Sequence, residues 1–407
     1  MKEDKPTIAQ ARLVALAAVL QIAEAFFPHP IPGVRLGLAN VVTLIALVRL
    51  GSGCALEITA LRTVIASLAV GTFLTPTFII SFVAALGSTG AMIFFQAFLK
   101  RGGGRYFSII GVSLVGAACH NIIQLAVAYL LIIRHSSIML LAPWLGISAV
   151  LAGWLTGIIA LRVCRKLSVA SPGHSALAVV RQQPDFCRAR PAETGGERRT
   201  RRFALQTYIR GEGTAPSAPT ALKIMGLFLL APLVLFVESL AAFGLIALGL
   251  LAVSGLAGLS VRTLLGACRR QTALLFIAFL MPALFNGNGD ILWAMGFLTI
   301  TREGLLMGAS FAARLLLLMA GATLLVRTTS QEELARGFEQ ILRSVGFSGP
   351  KPKRISSILI LAWLALPALG NRVRAFFSGR DRAFCGLMSG LIDFMAELYK
   401  EAEFKEA

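Results

Sequence analysis

Apolar residues fall in long blocks along this chain, and the blocks set the first expectation. Six fill the first part, at about 11–27, 38–50, 54–71, 77–99, 108–133 and 138–161. A helix rises about 1.5 Å per residue, so runs near twenty residues match a hydrocarbon core about 30 Å thick. Turn residues separate the blocks: PHPIPG after the first, GSG after the second, Thr75-Pro76 after the third and KRGGGR after the fourth. Further blocks lie near 221–238, 240–258, 272–285 and 304–326, with GNGD at 287–290 read as a turn. The pattern predicts an all-α, polytopic membrane protein.

Beyond 326 the texture changes. The stretch 328–347 is charged and amphipathic, and Ser330 followed by Glu333 has the spacing of a capping box, so a helix is expected to start there. An apolar stretch at 355–377 contains Pro367, and the tail from Leu391 reads as an amphipathic helix that ends in solution. Between the two halves, 168–219 is rich in Pro, Gly and Arg and has no long apolar period, which predicts a basic cytoplasmic linker. The expected division is therefore a membrane domain at 1–167, the linker at 168–219, and a second membrane domain with cytoplasmic helices at 220–407.

Composition agrees with a bilayer. Charged residues make up 14% of the chain and apolar ones 56%, against about 25% charged in soluble domains. The net charge of +19 comes from 39 Lys and Arg against 20 Asp and Glu. With the N-terminus in the cytoplasm, Lys2, Lys5, Arg12, Arg49, Lys100, Arg101, Arg105, Arg162, Arg165 and Lys166 fall inside, and only Arg35 and Arg134 fall outside. This predicts a multi-pass protein of the bacterial plasma membrane with a cytoplasmic N-terminus and the loop FPHPIPGVRLGLAN (27–40) on the outer face. The basic excess then serves topology and contact with anionic lipid. No nucleic-acid partner is expected, since no basic stretch alternates with aromatics.

Several chemistries have no motif here. There is no GxxxxGK[ST] loop, no DDxxD pair, no HExxH and no GxSxG, and the six cysteines show no CxxC spacing. The expectation is a chain that is not an enzyme and uses no cofactor or metal. The informative residues are instead polar ones at membrane depth, which cost several kcal/mol unless paired or facing a cavity. Arg62 needs an acceptor: Glu57, Glu24 or an anionic solute. His120 and Gln124 share a helix face and Asn121 lies about 100° away, so the three either wall a solute cavity or join neighbouring helices. Asn40 either closes a helix end or lines the mouth. Ser81 and Ser88 share a face and are assigned to packing. In the outer loop, the prolines, Pro30 among them, fix φ, Gly33 supplies a bend, and Arg35 is a cation at the mouth; a gate and a rigid turn both fit.

Three ordered stretches, GVRLGLANVVTLIAL, LEITALRTVIASLAVGTFLTPTFIISFVAALGS and FSIIGVSLVGAACHNIIQLAVAY, resemble the "Gx transporter" family, also described as heptaprenyl diphosphate synthase component I. The resemblance covers about 10–165. It implies a six-helix bundle like the substrate-binding (S) components of energy-coupling factor transporters, with solute contacts at Glu24, Asn40, Arg62, His120, Asn121 and Gln124 and a gate at Pro30, Gly33 and Arg35. The second half, through EGLLMGASFAARLLLLMAGATLLVRTTSQEELARGFEQIL and LAWLALPAL, is similar to the transmembrane T component (CbiQ/EcfT type). That resemblance implies cytoplasmic coupling helices, here with Arg336, Arg380 and Arg382, which dock ATP-binding cassette ATPase subunits. Together the two imply a fused permease for a small vitamin-, flavin- or isoprenoid/quinone-related solute, with the ATPases supplied in trans. The alternative is a non-catalytic membrane partner of a polyprenyl (heptaprenyl) diphosphate synthase.

Overall fold

The computed structural model describes residues 5–26, 37–101, 108–131, 141–169, 220–262, 272–285, 289–378 and 389–399, apart from 238, 296–297, 348 and 398; positions 139, 264 and 266 are also described. The apolar blocks of the first half fold as α1 (Lys5–Phe26), α2 (Leu38–Arg49), α3 (Ser52–Val70), α4 (Pro76–Arg101), α5 (Ile109–Leu131) and α6 (Ala142–Val169). Those of the second half form α7 (Thr220–Phe236), α8 (Leu240–Leu256), α9 (Thr272–Phe285), α10 (Arg302–Thr328), α11 (Gln331–Ser344) and α12 (Lys351–Ser378). Among the described residues, seven helices have the length and composition to cross a membrane: α1, α3, α4, α5, α6, α10 and α12. The chain is an all-α polytopic membrane protein.

Two elements depart from the expected pattern. Helix α2 has 12 residues, about 18 Å of helix, which is too short to span alone. Nine of them are buried, so α2 is a helix inside the bundle. Residues 291–301, where no element is expected, fold as an antiparallel hairpin of β1 (Ile291–Met295) and β2 (Leu298–Thr301). The amphipathic tail helix expected from Leu391 is present: 389–397 is helical, and its apolar face (Leu391, Ile392, Met395, Ala396) is buried in the core. Pro232, Pro282 and Pro367 each lie within a helix rather than ending one.

Small and hydroxylated residues set the helix spacing in the first bundle. A Cβ added at Gly157 of α6 would lie 2.8 Å from the Cα of Ile110, and one at Gly153 would lie 3.0 Å from the Cα of Leu114. The pair, four residues apart, lets the α5 and α6 backbones touch, as small-residue faces do in membranes. Threonines cross the bundle the same way: Thr59 hydroxyl lies 3.2 Å from that of Thr43 and 3.1 Å from that of Thr89, joining α2, α3 and α4. Ser88 donates to the Gly116 carbonyl at 2.8 Å, the packing role assigned to it.

The two halves share one core. Helix α1 packs along α12, burying Val14, Ala18 and Ile22 in the same cluster as Ile358, Ala362 and Leu366. Arg354 donates to the Gln10 side-chain oxygen at 2.6 Å, Gln10 donates to Glu57 at 2.6 Å, and Arg354 lies 3.7 Å from Glu57. Beyond the far end of α3, Phe73 inserts among Phe78, Phe228 and Phe338, with centroids 5.0, 6.3 and 5.9 Å away. Leu74, beside it, has φ of 59°, a left-handed turn residue. Helix α3 thus meets α12 near its start and α11 just past its end, so it lies across that helix pair. The turn at 72–75 therefore touches α11.

In the second half, Thr301 caps α10 by accepting from Gly304 N at 3.0 Å. The expected capping box opens α11: Ser330 N donates to Glu333 at 2.9 Å and Glu333 N to the Ser330 hydroxyl at 3.3 Å. Arg314, inside the span α10, donates to the Val237 carbonyl at 2.9 Å and sits 5.9 and 5.8 Å from the rings of Phe243 and Phe311. A helix-end carbonyl and two π faces stabilise that charge at membrane depth.

Candidate solute site

The first bundle holds a partly open cavity of about 60 Å³, several times the space one water needs. All six helices of the bundle contribute to its wall. Helix α1 supplies Gln21 and Glu24, α2 supplies Asn40, α3 supplies Arg62 and Thr63, α5 supplies His120 and Asn121, and α6 supplies Ser148 and Thr156. Ser81 of α4 completes the polar set, and the gaps are closed by Gly37 and by alanines 39, 85, 117, 149 and 152.

Arg62 organises one side of the wall. It is 4% exposed, and its two terminal nitrogens donate to Gln21 at 3.1 Å and to Asn40 at 2.6 Å. The acceptors are thus amide oxygens from α1 and α2. A guanidinium only donates, so it fixes which way both amides face. Of the partners expected for Arg62, Glu57 is engaged elsewhere: it serves Gln10 and Arg354 at the joint between the halves. Lying five residues before Arg62, it projects from a different side of α3.

Glu24, also 4% exposed, accepts from the backbone N–H of Leu38. That group is one of the orphan donors at the start of α2, so the carboxylate satisfies it and meets the positive end of the helix. Gly37, the residue before, adopts φ of 77°, which glycine takes at little cost. One side chain therefore both lines the cavity and fixes where the chain re-enters the bundle.

Asn121 donates its amide to the Leu145 carbonyl at 2.7 Å and to the Ser148 hydroxyl at 3.1 Å. Ser113 and Thr156 hydroxyls lie 2.7 Å apart. Both contacts tie α5 to α6 while standing at the cavity, so the two roles read for such residues coexist. His120 lines the wall, whereas Gln124, one turn further along α5, is not among its residues.

The sequence reading missed Gln21, Thr63, Ser148 and Thr156, and it assigned Ser81 to packing alone. Signals existed: Gln21 is three residues before Glu24, and Ser148, Ala152 and Thr156 recur every four residues on α6, one helix face in each case. Pro30, Gly33 and Arg35 of the gate loop lie outside the described residues, as do Arg380 and Arg382. Arg336 is described: it stands on the exposed face of α11, paired with Glu332 at 3.3 Å, while Leu334, Ala335 and Gly337 are buried.

The architecture is a polytopic helical bundle with a cavity lined by polar side chains, joined to a second helical half. Residues 13–163 match the family model described as heptaprenyl diphosphate synthase component I, and residues 215–381 match the one described as cobalt transport protein. The first half of the chain is thus similar to the one family and the second half to the other. It is similar to the energy-coupling factor transporter transmembrane protein EcfT of Thermosediminibacter oceani, at 26% identity over 42% of this chain and 63% of the relative. The EcfT proteins of Clostridium kluyveri (35% identity, 28% of this chain, 45% of the relative) and Thermanaerovibrio acidaminovorans (34%, 28% and 42%) are similar as well. The chain spans less than two-thirds of the length of each of these relatives.

Proposed function

We propose that this chain is the membrane permease of an energy-coupling factor, ABC-type transporter, with substrate-binding and coupling parts fused in one polypeptide. The domains are 1–167 for solute binding, 168–219 as linker and 220–407 for coupling. The observation that carries this reading is the cavity beside the buried Arg62 in the half that precedes an EcfT-like half. The two halves share a buried core through α1, α3, α11 and α12, so movement of α11 and α12 has a packed route to the cavity helices.

In this reading the chain itself is not an enzyme. Nucleotide hydrolysis belongs to ATP-binding cassette subunits supplied in trans. They dock on the exposed face of α11 at Arg336, with Arg380 and Arg382 as further contacts. The N-terminus faces the cytoplasm on the strength of the basic-residue bias, and the loop with Pro30, Gly33 and Arg35 covers the site from outside. Glu24, Asn40, Arg62, His120 and Asn121 contact the solute; Gln124, expected beside them, stands outside the wall.

Affinity purification of the tagged chain from its native membranes tests the proposal. ATP-binding cassette subunits in the eluate, with ATP hydrolysis, are expected. An eluate without them contradicts it. The description of the first matched family favours a second reading, a non-catalytic partner of a prenyl diphosphate synthase. It predicts instead a soluble synthase in the same eluate, with activity that falls when this chain is removed.

A further inference from the structure

Taken as the solute site proposed above, the cavity presents amides whose direction its own scaffold fixes. An amide side chain has a donor end and an acceptor end, and a partner that can only donate or only accept decides which end faces it. Arg62 only donates. Its terminal nitrogens hold the side-chain oxygens of Gln21 at 3.1 Å and of Asn40 at 2.6 Å, so each NH2 group is turned away from the guanidinium. Both residues line the cavity. Neither Gln21 Nε2 nor Asn40 Nδ2 bonds to another described residue, and neither nitrogen is closed off by the packing. Asn40 Nδ2 stands 3.6 Å from where a Cβ on Gly37, another wall residue, would lie.

Asn121 is fixed the opposite way. The Leu145 carbonyl only accepts, so the Asn121 nitrogen faces it at 2.7 Å and the Ser148 hydroxyl at 3.1 Å. Its Oδ1 is the end left over, again bonded to no other described residue. The wall therefore offers two NH2 groups, from α1 and α2, and one carbonyl oxygen, from α5. The two NH2 groups form a pair, because their amides share one guanidinium fork. An amide whose oxygen accepts from a cation is polarised and donates more strongly through its N–H groups. A solute that displaces water from such donors must replace the lost hydrogen bonds or forfeit their energy. A carbonyl or carboxylate oxygen does so. Arg62 behind the pair and Glu24 in the same wall carry opposite charges, so a neutral carbonyl is served as well as a carboxylate.

We propose that Gln21 and Asn40, turned by Arg62, are the donor pair that sets specificity in this site. The solute places a carbonyl or carboxylate oxygen on the pair and an N–H or O–H group on Asn121 Oδ1.

The test is mass spectrometry of the small molecules released by denaturing the full chain, purified from native membranes. Asn40→Asp and Gln21→Glu keep the shape of the amides and an oxygen for Arg62, with a charge-assisted bond in place of a neutral one. What they remove is the NH2 group. Ser81→Leu adds a branched apolar group to the same wall and leaves the pair intact. The expected result is a retained molecule with a carbonyl or carboxylate oxygen and an N–H or O–H group. Its retention falls at least about tenfold in Asn40→Asp, in Gln21→Glu and in Ser81→Leu while elution stays monodisperse, a fall worth about 1.4 kcal/mol per tenfold. Retention that falls in Ser81→Leu but holds in both amide variants overturns the donor pair and leaves the cavity as the solute site. A retained molecule without an acceptor oxygen overturns it as well. A chain that releases nothing sensitive to any of the three overturns both the pair and the site. ATP-binding cassette subunits in the same eluate, or their absence, decide the coupling to ATP and leave the donor pair as these variants find it.

Discussion

Arg354 of α12 and Gln10 of α1, 344 positions apart in sequence, are joined by a 2.6 Å hydrogen bond, and Glu57 of α3 stands 3.7 Å from the same guanidinium. The joint between the halves therefore has a polar clasp at one end of α3 and the Phe73 insertion at the other. The clasp is partly open to solvent, with Arg354 48% and Glu57 36% exposed, so its worth is on the order of 1 kcal/mol or less. Arg354→Ala and Glu57→Gln should each lower the thermal midpoint of the purified chain slightly. The double variant should lose less than the sum of the two, because one network is removed twice. Strict additivity would show that the two side chains do not interact.

Phe73 should matter more. It is 2% exposed and packs against three other rings. Phe73→Ala removes a fully buried ring and leaves a void, a change that costs about 3–5 kcal/mol in well-packed cores. Heat or denaturant melting should show the first half separating from the second at lower stress. A variant with unchanged melting would contradict the joint as described.

The α5–α6 contact gives a paired test. Gly157→Leu places a branched side chain where a Cβ already meets the Ile110 Cα at 2.8 Å; overpacking of this kind costs about 1–3 kcal/mol and shifts backbones. Yield of monodisperse protein should fall. Gly146→Ala, with nothing within 4 Å of the added Cβ, should behave as the unaltered chain.

Acid should loosen the start of α11. The Ser330 backbone N–H, and then the Ser330 hydroxyl, hold the Glu333 carboxyl below its ordinary value. A carboxylate with a depressed pKa in the folded state stabilises above its unfolded pKa, and that stabilisation is lost as pH falls through the folded one. The amides of the first turn of α11 should therefore lose protection, relative to their intrinsic exchange rates, as pH falls below the ordinary carboxylate range, and Glu333→Ala should lose it at neutral pH as well. Ser330→Ala should cost about 1 kcal/mol at any pH above that range.

The helices were legible because apolar blocks of membrane length leave little choice of fold, and the capping box was legible because its two partners are three residues apart. The β1–β2 hairpin was not: ILWAM and LTIT are short strands next to a turn, and nothing about their periodicity separates them from a helix start. For the site, the polar residues at membrane depth led to Arg62, Glu24, Asn40, His120 and Asn121, all of which stand in one wall. What pairs with what was not readable. Glu57 looked like a partner for Arg62 because both are charged and close in sequence, yet its partner Arg354 lies in the other half. Gln124 shares a helix face with His120, but the wall ends before the next turn of α5.

The most direct measurement is ATP hydrolysis by the complex purified from native membranes and placed in liposomes. The rate is followed as the polar small-molecule fraction of a cell extract is added, for the unaltered chain and for Ser81→Leu. The account predicts stimulation with the unaltered chain and none with Ser81→Leu carrying the same amount of ATPase subunit. Equal rates for the two chains, with and without the extract, would contradict a solute site at Arg62 that is coupled to ATP.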